Sequence, residues 1–239
     1  MKALILAAGL GSRLKNYTSK LPKCLLKIND KPILEYQLDA LLTNGITDVI
    51  IVVGYKSELV KKFILSYKNI EKLNVRLIKN KDYSKSNSSY SFWLAKNQIV
   101  GSSYIHLHCD IIFHPDIIEK LLLSNYDNII VVDTSSELID GVMEQVILEK
   151  DKITKMDNRN VRNASGKGAG IAKISSTCLN WIIPRIEKYI QDGDKDQNYY
   201  TFIRDAIHYN NFYGLRSENL FIGEINTIDD LHNTKGIIF

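Results

Sequence analysis

The sequence predicts an α/β fold in which a mixed, mainly parallel sheet is flanked by helices and followed by a smaller hairpin-bearing lobe. Two observations carry this expectation. Apolar runs of strand length alternate with helical patterns through the first half, which implies parallel strands joined by helical crossovers. In the second half two short apolar runs flank a polar turn, the pattern of a hairpin.

In chain order, Lys2 to Leu6 reads as a first buried strand, Ile33 to Asn44 as a helix, Asp48 to Val53 as a strand, Glu58 to Tyr67 as a helix and Val75 to Ile78 as a strand. Pro32 and Gly45 bracket the first helix in the order helices favour, proline at the entry and glycine just past the exit. A helix near Ser89 to Gln98, a strand from Tyr104 to His108, a helix from Pro115 to Leu123 and a strand from Asn128 to Val132 continue the alternation, so the sheet is expected to be parallel at its centre. Met143 to Leu148 and Ile153 to Asp157 then flank the turn Glu149 to Lys152. Gly170 to Ser175 reads as a strand, Cys178 to Ile190 and Tyr199 to Tyr209 as helices, and Leu220 to Ile225 as a last strand. In open α/β sheets ligands settle at the carboxyl ends of the strands, where Gly9, Asn80 and Asp110 would all lie.

With 239 residues, 45% of them hydrophobic, the chain can bury a substantial core, and one unit over residues 1–239 is expected. A net charge of +4, with basic residues scattered among acidic ones, argues against nucleic acid as a partner and suits a phosphorylated metabolite. Cys24, Cys109 and Cys178 are widely spaced and lack paired metal-ligand spacing. They read as reduced thiols of a cytoplasmic protein, each a small core residue. No segment has the length to span a bilayer, and the apolar start Ala3 to Leu10 is too short and too sparsely charged in front for a signal peptide. The sequence leaves open a homo-oligomer.

The stretch Leu6-Ala7-Ala8-Gly9-Leu10-Gly11-Ser12-Arg13-Leu14, followed by Leu21-Pro22-Lys23, joins an apolar strand to a glycine loop with two cations. Glycines let backbone N–H groups approach an anion, and Arg13 and Lys23 supply charge. A Walker loop is excluded because the Gly166-Lys167 pair is followed by Gly168, and a dinucleotide fingerprint because bulky Leu14 stands where a third glycine belongs.

This pattern, continued by Lys31-Pro32-Ile33-Leu34-Glu35-Tyr36, resembles the nucleotidyltransferases that make CDP-, UDP- and GDP-activated metabolites. It is most similar to the small bacterial cytidylyltransferases of the phosphocholine and phosphoglutamine type. The resemblance extends to Asn80–Tyr83 and Asn87–Ala95, to Asp110, and to Glu224-Ile225-Asn226-Thr227. It implies a Rossmann-like fold, a nucleotide-binding half over about 1–113 and an acceptor-binding half over about 114–239. It further implies CTP as nucleotide substrate, Mg²⁺ as cofactor, and transfer of CMP to a small phosphorylated acceptor with release of pyrophosphate, in the decoration of surface polysaccharides. The rivals are a sugar-1-phosphate nucleotidyltransferase using UTP or dTTP, and a nucleotide-binding regulatory module with little turnover.

On that resemblance Lys23, Arg13 and Asp110 are the catalytic group. Leu6, Ala8, Gly9, Gly11, Ser12, Asn80, Ser88 and Ser91 join Arg13 and Lys23 in holding the nucleotide. Either serine, near the start of a helix, suits a cap as well as a ligand contact. Asp110 is the metal ligand, completed by Asn226, where many relatives have Asp, or by Glu224 two residues back. His106 and His108 alternate on the same strand and read as structural rather than as metal ligands. Glu144, Gln145, Lys167 and Tyr199 are the candidate acceptor contacts. With Arg159 and Arg162, Glu144 and Lys167 have the charges to recognise an amino acid's ammonium and carboxylate, although for any one of them a solvated loop charge is the plainer account.

Overall fold

The computed structural model describes residues 1–14, 16–135, 144–158, 161–234 and 236. The first half contains β1 (Lys2–Ala7), α1 (Asn16–Lys20), β2 (Lys27–Ile28), β3 (Lys31–Pro32), α2 (Ile33–Thr43), β4 (Asp48–Val53), α3 (Ser57–Ser66), β5 (Asn74–Lys79), α4 (Ser88–Ile99), β6 (Tyr104–His108) and β7 (Ile111–Phe113). Then follow α5 (Asp116–Leu123), β8 (Ile129–Asp133), β9 (Gln145–Glu149), β10 (Lys152–Asp157), β11 (Gly166–Ile174), α6 (Ser176–Gln191), α7 (Tyr199–Ile207), β12 (Tyr213–Arg216), β13 (Ile222–Glu224) and α8 (Ile228–Asn233).

The apolar run of β1 places it inside the sheet. Ala3, Leu4, Ile5, Leu6 and Ala7 are all buried, which an interior strand covered on both faces requires. Alternation along it feeds two cores. Ala3, Ile5 and Ala7 pack on one face with Leu34 and Leu38 of α2, Val60 of α3 and Ile117 of α5. Leu4 and Leu6 pack on the other with Phe92 of α4, Ile182 of α6 and Phe202 of α7. A third cluster joins Leu14, Leu26 and Ile33 to Ile112, Ile225 and Leu231, and so fastens the N-terminal loops to the β7–β13 ribbon.

The main sheet has the order β5-β4-β1-β6-β11-β8-β12-β10-β9. β5, β4, β1 and β6 are parallel, as the alternation predicts. The centre is not. β11 runs antiparallel to both β6 and β8, and pairs also with β9, so the second half of the sheet curls back on itself. The hairpin β9–β10 forms as expected, with Met143 outside the described residues.

β11 begins four residues before the sequence suggests, because the run Gly166-Lys167-Gly168-Ala169-Gly170 has the composition of a loop. Contact explains why those residues are strand. A Cβ on Gly166 would lie 2.6 Å from the Asp133 carbonyl oxygen, and one on Gly170, which has φ +71°, would lie 2.8 Å from His108 Nδ1. Glycine there lets neighbouring strands close up. β12, interrupted by Gly214, and the three-residue β7 are too short to stand out in the sequence.

Asp39 on α2 ties three elements together. It accepts from Lys31 Nζ at 2.6 Å and from the Tyr67 hydroxyl at 2.5 Å, with Lys68 Nζ 3.6 Å away. Burial pushes its carboxyl up, but the bonds from Lys31 and Tyr67 and the two lysine charges hold it below the ordinary carboxylate range. The unfolded chain therefore binds this proton more readily. The stability involved is complete above the unfolded value of about 4 and fades as pH falls through the lower folded value. Asp39→Asn should lower the urea midpoint at pH 7, and the gap from the parent protein should narrow steadily below pH about 4.

Candidate functional site

At the carboxyl end of β1 the chain turns through Gly9 and Gly11 into a short 3-10 turn, Ser12–Leu14, closed by Leu14 N–H donating to the Gly11 carbonyl at 3.0 Å. Gly11 has φ +64°, and a Cβ there would press on Thr18 and Lys23, so the left-handed turn admits glycine for two reasons. Gly9 is different. Nothing lies within 4 Å of where its Cβ would be, so any need for glycine there comes from the open cavity it lines.

That cavity has a volume of about 350 Å³ and draws its walls from both halves of the chain. Leu6, Ala8, Gly9, Gly11, Ser12, Arg13 and Lys23 form one side; Asn80, Ser88 and Ser91 form another; Asp110 and Asn226 close the end beside Lys23. Positions far apart in sequence thus converge where the strand ends predict.

Lys23 opens a second 3-10 turn, Lys23–Leu25, entered through Pro22 at φ −66°, ψ 150°. Its ammonium donates to Asp110 Oδ2 at 2.6 Å and to Asn226 Oδ1 at 2.9 Å. Arg13 Nη2 donates to the same Asn226 oxygen at 2.7 Å. Because both partners are donors, the atom facing them has to be the amide oxygen. Burial raises the Asp110 carboxyl, but the Lys23 charge, with His108 and the Lys23 hydrogen bond behind it, holds it below its ordinary range.

Both oxygen-bearing residues are fixed from behind. Buried Gln37 on α2 donates from Nε2 to the carbonyls of His108, at 2.7 Å, and Ile111, at 2.8 Å, and so clamps the turn that carries Asp110. Ile225 N–H donates to the Asp110 carbonyl at 2.8 Å. Asn226 precedes a capping box in which Asp230 accepts from Thr227 N–H at 2.6 Å and also from Asn226 N–H at 2.7 Å. Sequence reasoning missed Gln37; its signal is a polar residue at an apolar position of the helical stripe.

The residues fit a hard divalent cation such as Mg²⁺. Asp110 Oδ1 is buried without a hydrogen-bond partner among the described residues, and the Asn226 carbonyl is a second oxygen donor. Glu224 sits elsewhere. It pairs across the ribbon with Ile111, lies outside the cavity wall, and acts on Tyr200, whose hydroxyl its charge helps to raise. Among the described residues no three His, Cys, Asp or Glu gather as a metal site. His106 is fully buried, stacks on Tyr199 at 4.7 Å, and is kept neutral by burial and by His108. Its ring nitrogens lack partners among the described residues. Cys24, Cys109 and Cys178 are all free thiols. Burial raises Cys24 and Cys178 to about 12, while Cys109 lines the cavity.

At the other end of the cavity Asn80 is buried and committed. Its Nδ2 donates to Ser86 and Ser91 hydroxyls, each at 3.0 Å, and its Oδ1 accepts from Asp82 N–H at 2.9 Å. It therefore shapes the pocket and leaves the hydroxyls of its partners to face it. Asn87, not either serine, accepts at the start of α4, whereas the Ser88 hydroxyl accepts from Tyr199 N–H at 2.8 Å and so caps α7.

A wall that sequence reasoning missed is the segment 194–198. Lys195 and Gln197 carbonyls accept from Asn87 and Ser89 N–H at 2.9 and 3.1 Å. Lys195 Nζ also meets Asp82 Oδ2 at 2.7 Å and lies 4.7 Å over the Tyr90 ring. These contacts seat Asn198 in the cavity lining, where its Oδ1 caps α7 by accepting from Tyr200 N–H at 2.8 Å.

The candidate acceptor contacts are placed differently from expectation. Tyr199 is a core residue, 1% exposed, stacked on Phe92 at 4.5 Å with its hydroxyl 2.7 Å from that of Tyr104. Gln145 is buried, its Oε1 taken by Val161 N–H at 2.6 Å. Lys167 lies 3.8 Å from buried Asp133, and Glu144 accepts twice from Arg204 Nη1, at 2.6 and 2.8 Å. None of the four lines the cavity described above. Arg162 is exposed, and Arg159 falls outside the described residues.

A glycine turn, two cations and a buried carboxylate gathered at the strand ends of a mixed α/β sheet suit an enzyme that handles a phosphorylated substrate. Residues 3–172 match the family described as MobA-like NTP transferase domain, and the chain belongs to that family. It is 45% identical to the choline-phosphate cytidylyltransferase of Streptococcus pneumoniae over 105 residues, which are 44% of this chain and 43% of that protein. It is 34% identical to the CTP:phosphoglutamine cytidylyltransferase of Campylobacter jejuni over 140 residues, 56% of this chain and 53% of the relative. The matches thus span about half the length of these curated relatives. The solved CTP:phosphocholine cytidylyltransferase of Streptococcus pneumoniae superposes with a TM-score of 0.78 at 26% identity, over 97% of this chain and 96% of that one.

Asn198 separates capping from ligand contact experimentally. Asn198→Asp keeps an oxygen at the α7 cap but replaces the amide donor with a negative charge. Calorimetry should show weaker nucleoside triphosphate binding with an unchanged melting temperature; equal loss of both would reduce Asn198 to a helix cap.

Proposed function

We propose that this chain is a Mg²⁺-dependent cytidylyltransferase that moves CMP from CTP to a small phosphorylated acceptor, of the phosphoglutamine or phosphocholine kind, and releases pyrophosphate. The observation that carries this reading is the meeting of Lys23, Arg13, Asp110 and Asn226 at one end of a cavity of about 350 Å³ whose other end is lined by Asn80, Ser86, Asn87, Ser88, Ser91 and Asn198. The preference for CTP and for these acceptors is supported by the named relatives. Work in the cytoplasm is supported by the free thiols Cys24, Cys109 and Cys178, and a product used on surface polysaccharides by the sequence resemblance. Walls drawn from both halves support one functional domain over residues 1–239. Among the described residues no helix is long and apolar enough to cross a membrane.

The chemistry needs no enzymic nucleophile. An acceptor phosphate oxygen, ionised at neutral pH, attacks the α-phosphorus as the bond to the pyrophosphate oxygen breaks. Positioning and charge neutralisation carry such a step. Gly9 leaves room for the phosphate chain to approach backbone, and Arg13 and Lys23 offset the charge that builds on the departing pyrophosphate. Asp110 and Asn226 would hold Mg²⁺, which supplies Lewis-acid neutralisation of the phosphates. The chain's own part is to keep those oxygens fixed, through Gln37 and the Thr227–Asp230 box.

Two experiments test this. Pyrophosphate release should be greatest with CTP and Mg²⁺ when phosphoglutamine, phosphocholine, phosphoethanolamine and hexose-1-phosphates are compared. Product from a hexose-1-phosphate alone would replace the acceptor assignment, and tight CTP binding without product from any acceptor would make the chain a binding module. Arg13→Ala and Lys23→Ala should each lower turnover by about two orders of magnitude or more, roughly 2.7 kcal/mol of transition-state stabilisation. Arg13→Ala should do so with little change in melting temperature, because that side chain is exposed, whereas Lys23→Ala also strands buried Asp110.

A further inference from the structure

The ammonium of Lys23 lies between Asp110 Oδ2 and Asn226 Oδ1, at 2.6 and 2.9 Å, and so takes up an oxygen on each of the two residues that would hold a divalent ion. It is well held there. Lys23 is 9% exposed, and its stem leaves a short turn fixed by Pro22 on one side and by the Gly11 backbone on the other. Charge adds to the obstruction. Asn226 contributes an oxygen but no negative charge, so among the described residues Asp110 is the one carboxylate lining this end of the cavity with Arg13 and Lys23, while Asp230 behind it is turned to the Asn226 and Thr227 N–H groups. A bare divalent cation entering would meet two cationic side chains already bonded to its oxygen donors. A polyphosphate reverses that sign and offers the ammonium new oxygens.

We propose that Lys23 is a placeholder cation: without nucleotide it blocks the metal position between Asp110 and Asn226, and the metal enters with the triphosphate, whose oxygens draw the ammonium off the carboxylate. The proposal rests on the reading of this cavity as a nucleoside triphosphate site. The remaining Asp110 oxygen is buried without a hydrogen-bond partner among the described residues, so one donor of that carboxylate is not committed to Lys23. Metal and nucleotide affinities are then coupled, each raising the other.

Mn²⁺ titrated into the nucleotide-free chain, followed by loss of the free-ion EPR signal, reads this directly. The parent protein should bind weakly, and Lys23→Met should bind about tenfold more tightly or better. Adding Asp110→Asn to Lys23→Met should cancel the gain. Circular dichroism and melting establish that each variant is folded, and Lys23→Gln is the second neutral replacement with the same expectation. Unchanged or weaker Mn²⁺ binding in both lysine variants, or a gain that survives Asp110→Asn, overturns the placeholder. The readout involves neither CTP nor turnover. A tenfold gain in the Lys23 variants, alongside a parent protein that releases no pyrophosphate with any acceptor, would uphold the placeholder's block and overturn the transferase reading, so the two failures are distinct.

Discussion

The ion pair between Lys23 and Asp110 is the interaction on which the rest of the site depends. It joins a loop after the first strand to the turn after the sixth, with both side chains largely withdrawn from water. Withdrawing two charges is costly, and attraction offsets that cost only where geometry is good and the remaining polar atoms find partners. Here one carboxylate oxygen is met by the ammonium and the other is left without a partner among the described residues. A buried charge left half-satisfied is poor design for stability alone and good design for a site that takes up a cation.

The fold supplies that pair through adjacency. β1 lies between β4 and β6 in parallel register, Leu6 beside His108, so the glycine turn leaving β1 and the Asp110 turn leaving β6 emerge at the same edge of the sheet. Alternating residues of β1 anchor it in both cores, which leaves the turn little freedom to shift. The third cluster does the same for the late segment: Ile225, between Glu224 and Asn226, packs with Leu14 and Ile112 and turns Asn226 toward Lys23. Glu224, two residues earlier, pairs with Ile111 and lies outside the cavity lining that Asn226 joins.

Elements with long periodic patterns, such as β1, α2, β4 and β6, were legible in the sequence nearly to the residue, because burial on both faces or one stripe leaves a signal in composition. The glycine turn and Asp110 were legible as well, since their chemistry is local to a strand end. What stayed hidden depends on distant partners. The antiparallel β11 opens with glycines whose purpose is a neighbour's approach, and the wall at 194–198 is held by bonds to Asn87 and Ser89 more than a hundred residues earlier. Asn80 was found but its polar atoms face its own loop, a distinction that spacing does not encode.

Three consecutive residues at the head of α7 show how closely the two ends of the molecule are tied. Asn198 lines the cavity, Tyr199 turns into the core against Phe92 and His106, and Tyr200 meets His108 edge to face. The helix start fixes these directions: Ser88 and Asn198 accept the first two N–H groups, and the side chains then fan out at helical spacing. Tyr199, a candidate acceptor contact in the sequence, packs in the core, and its neighbour Asn198 is the residue of this turn that lines the cavity. One turn further, Arg204 grips Glu144, which leads into β9, last in the strand order of the same sheet. The helix whose N-cap lines the cavity thus also holds the entry to the β9–β10 hairpin, so one short helix joins the cavity wall to the last strands of the sheet.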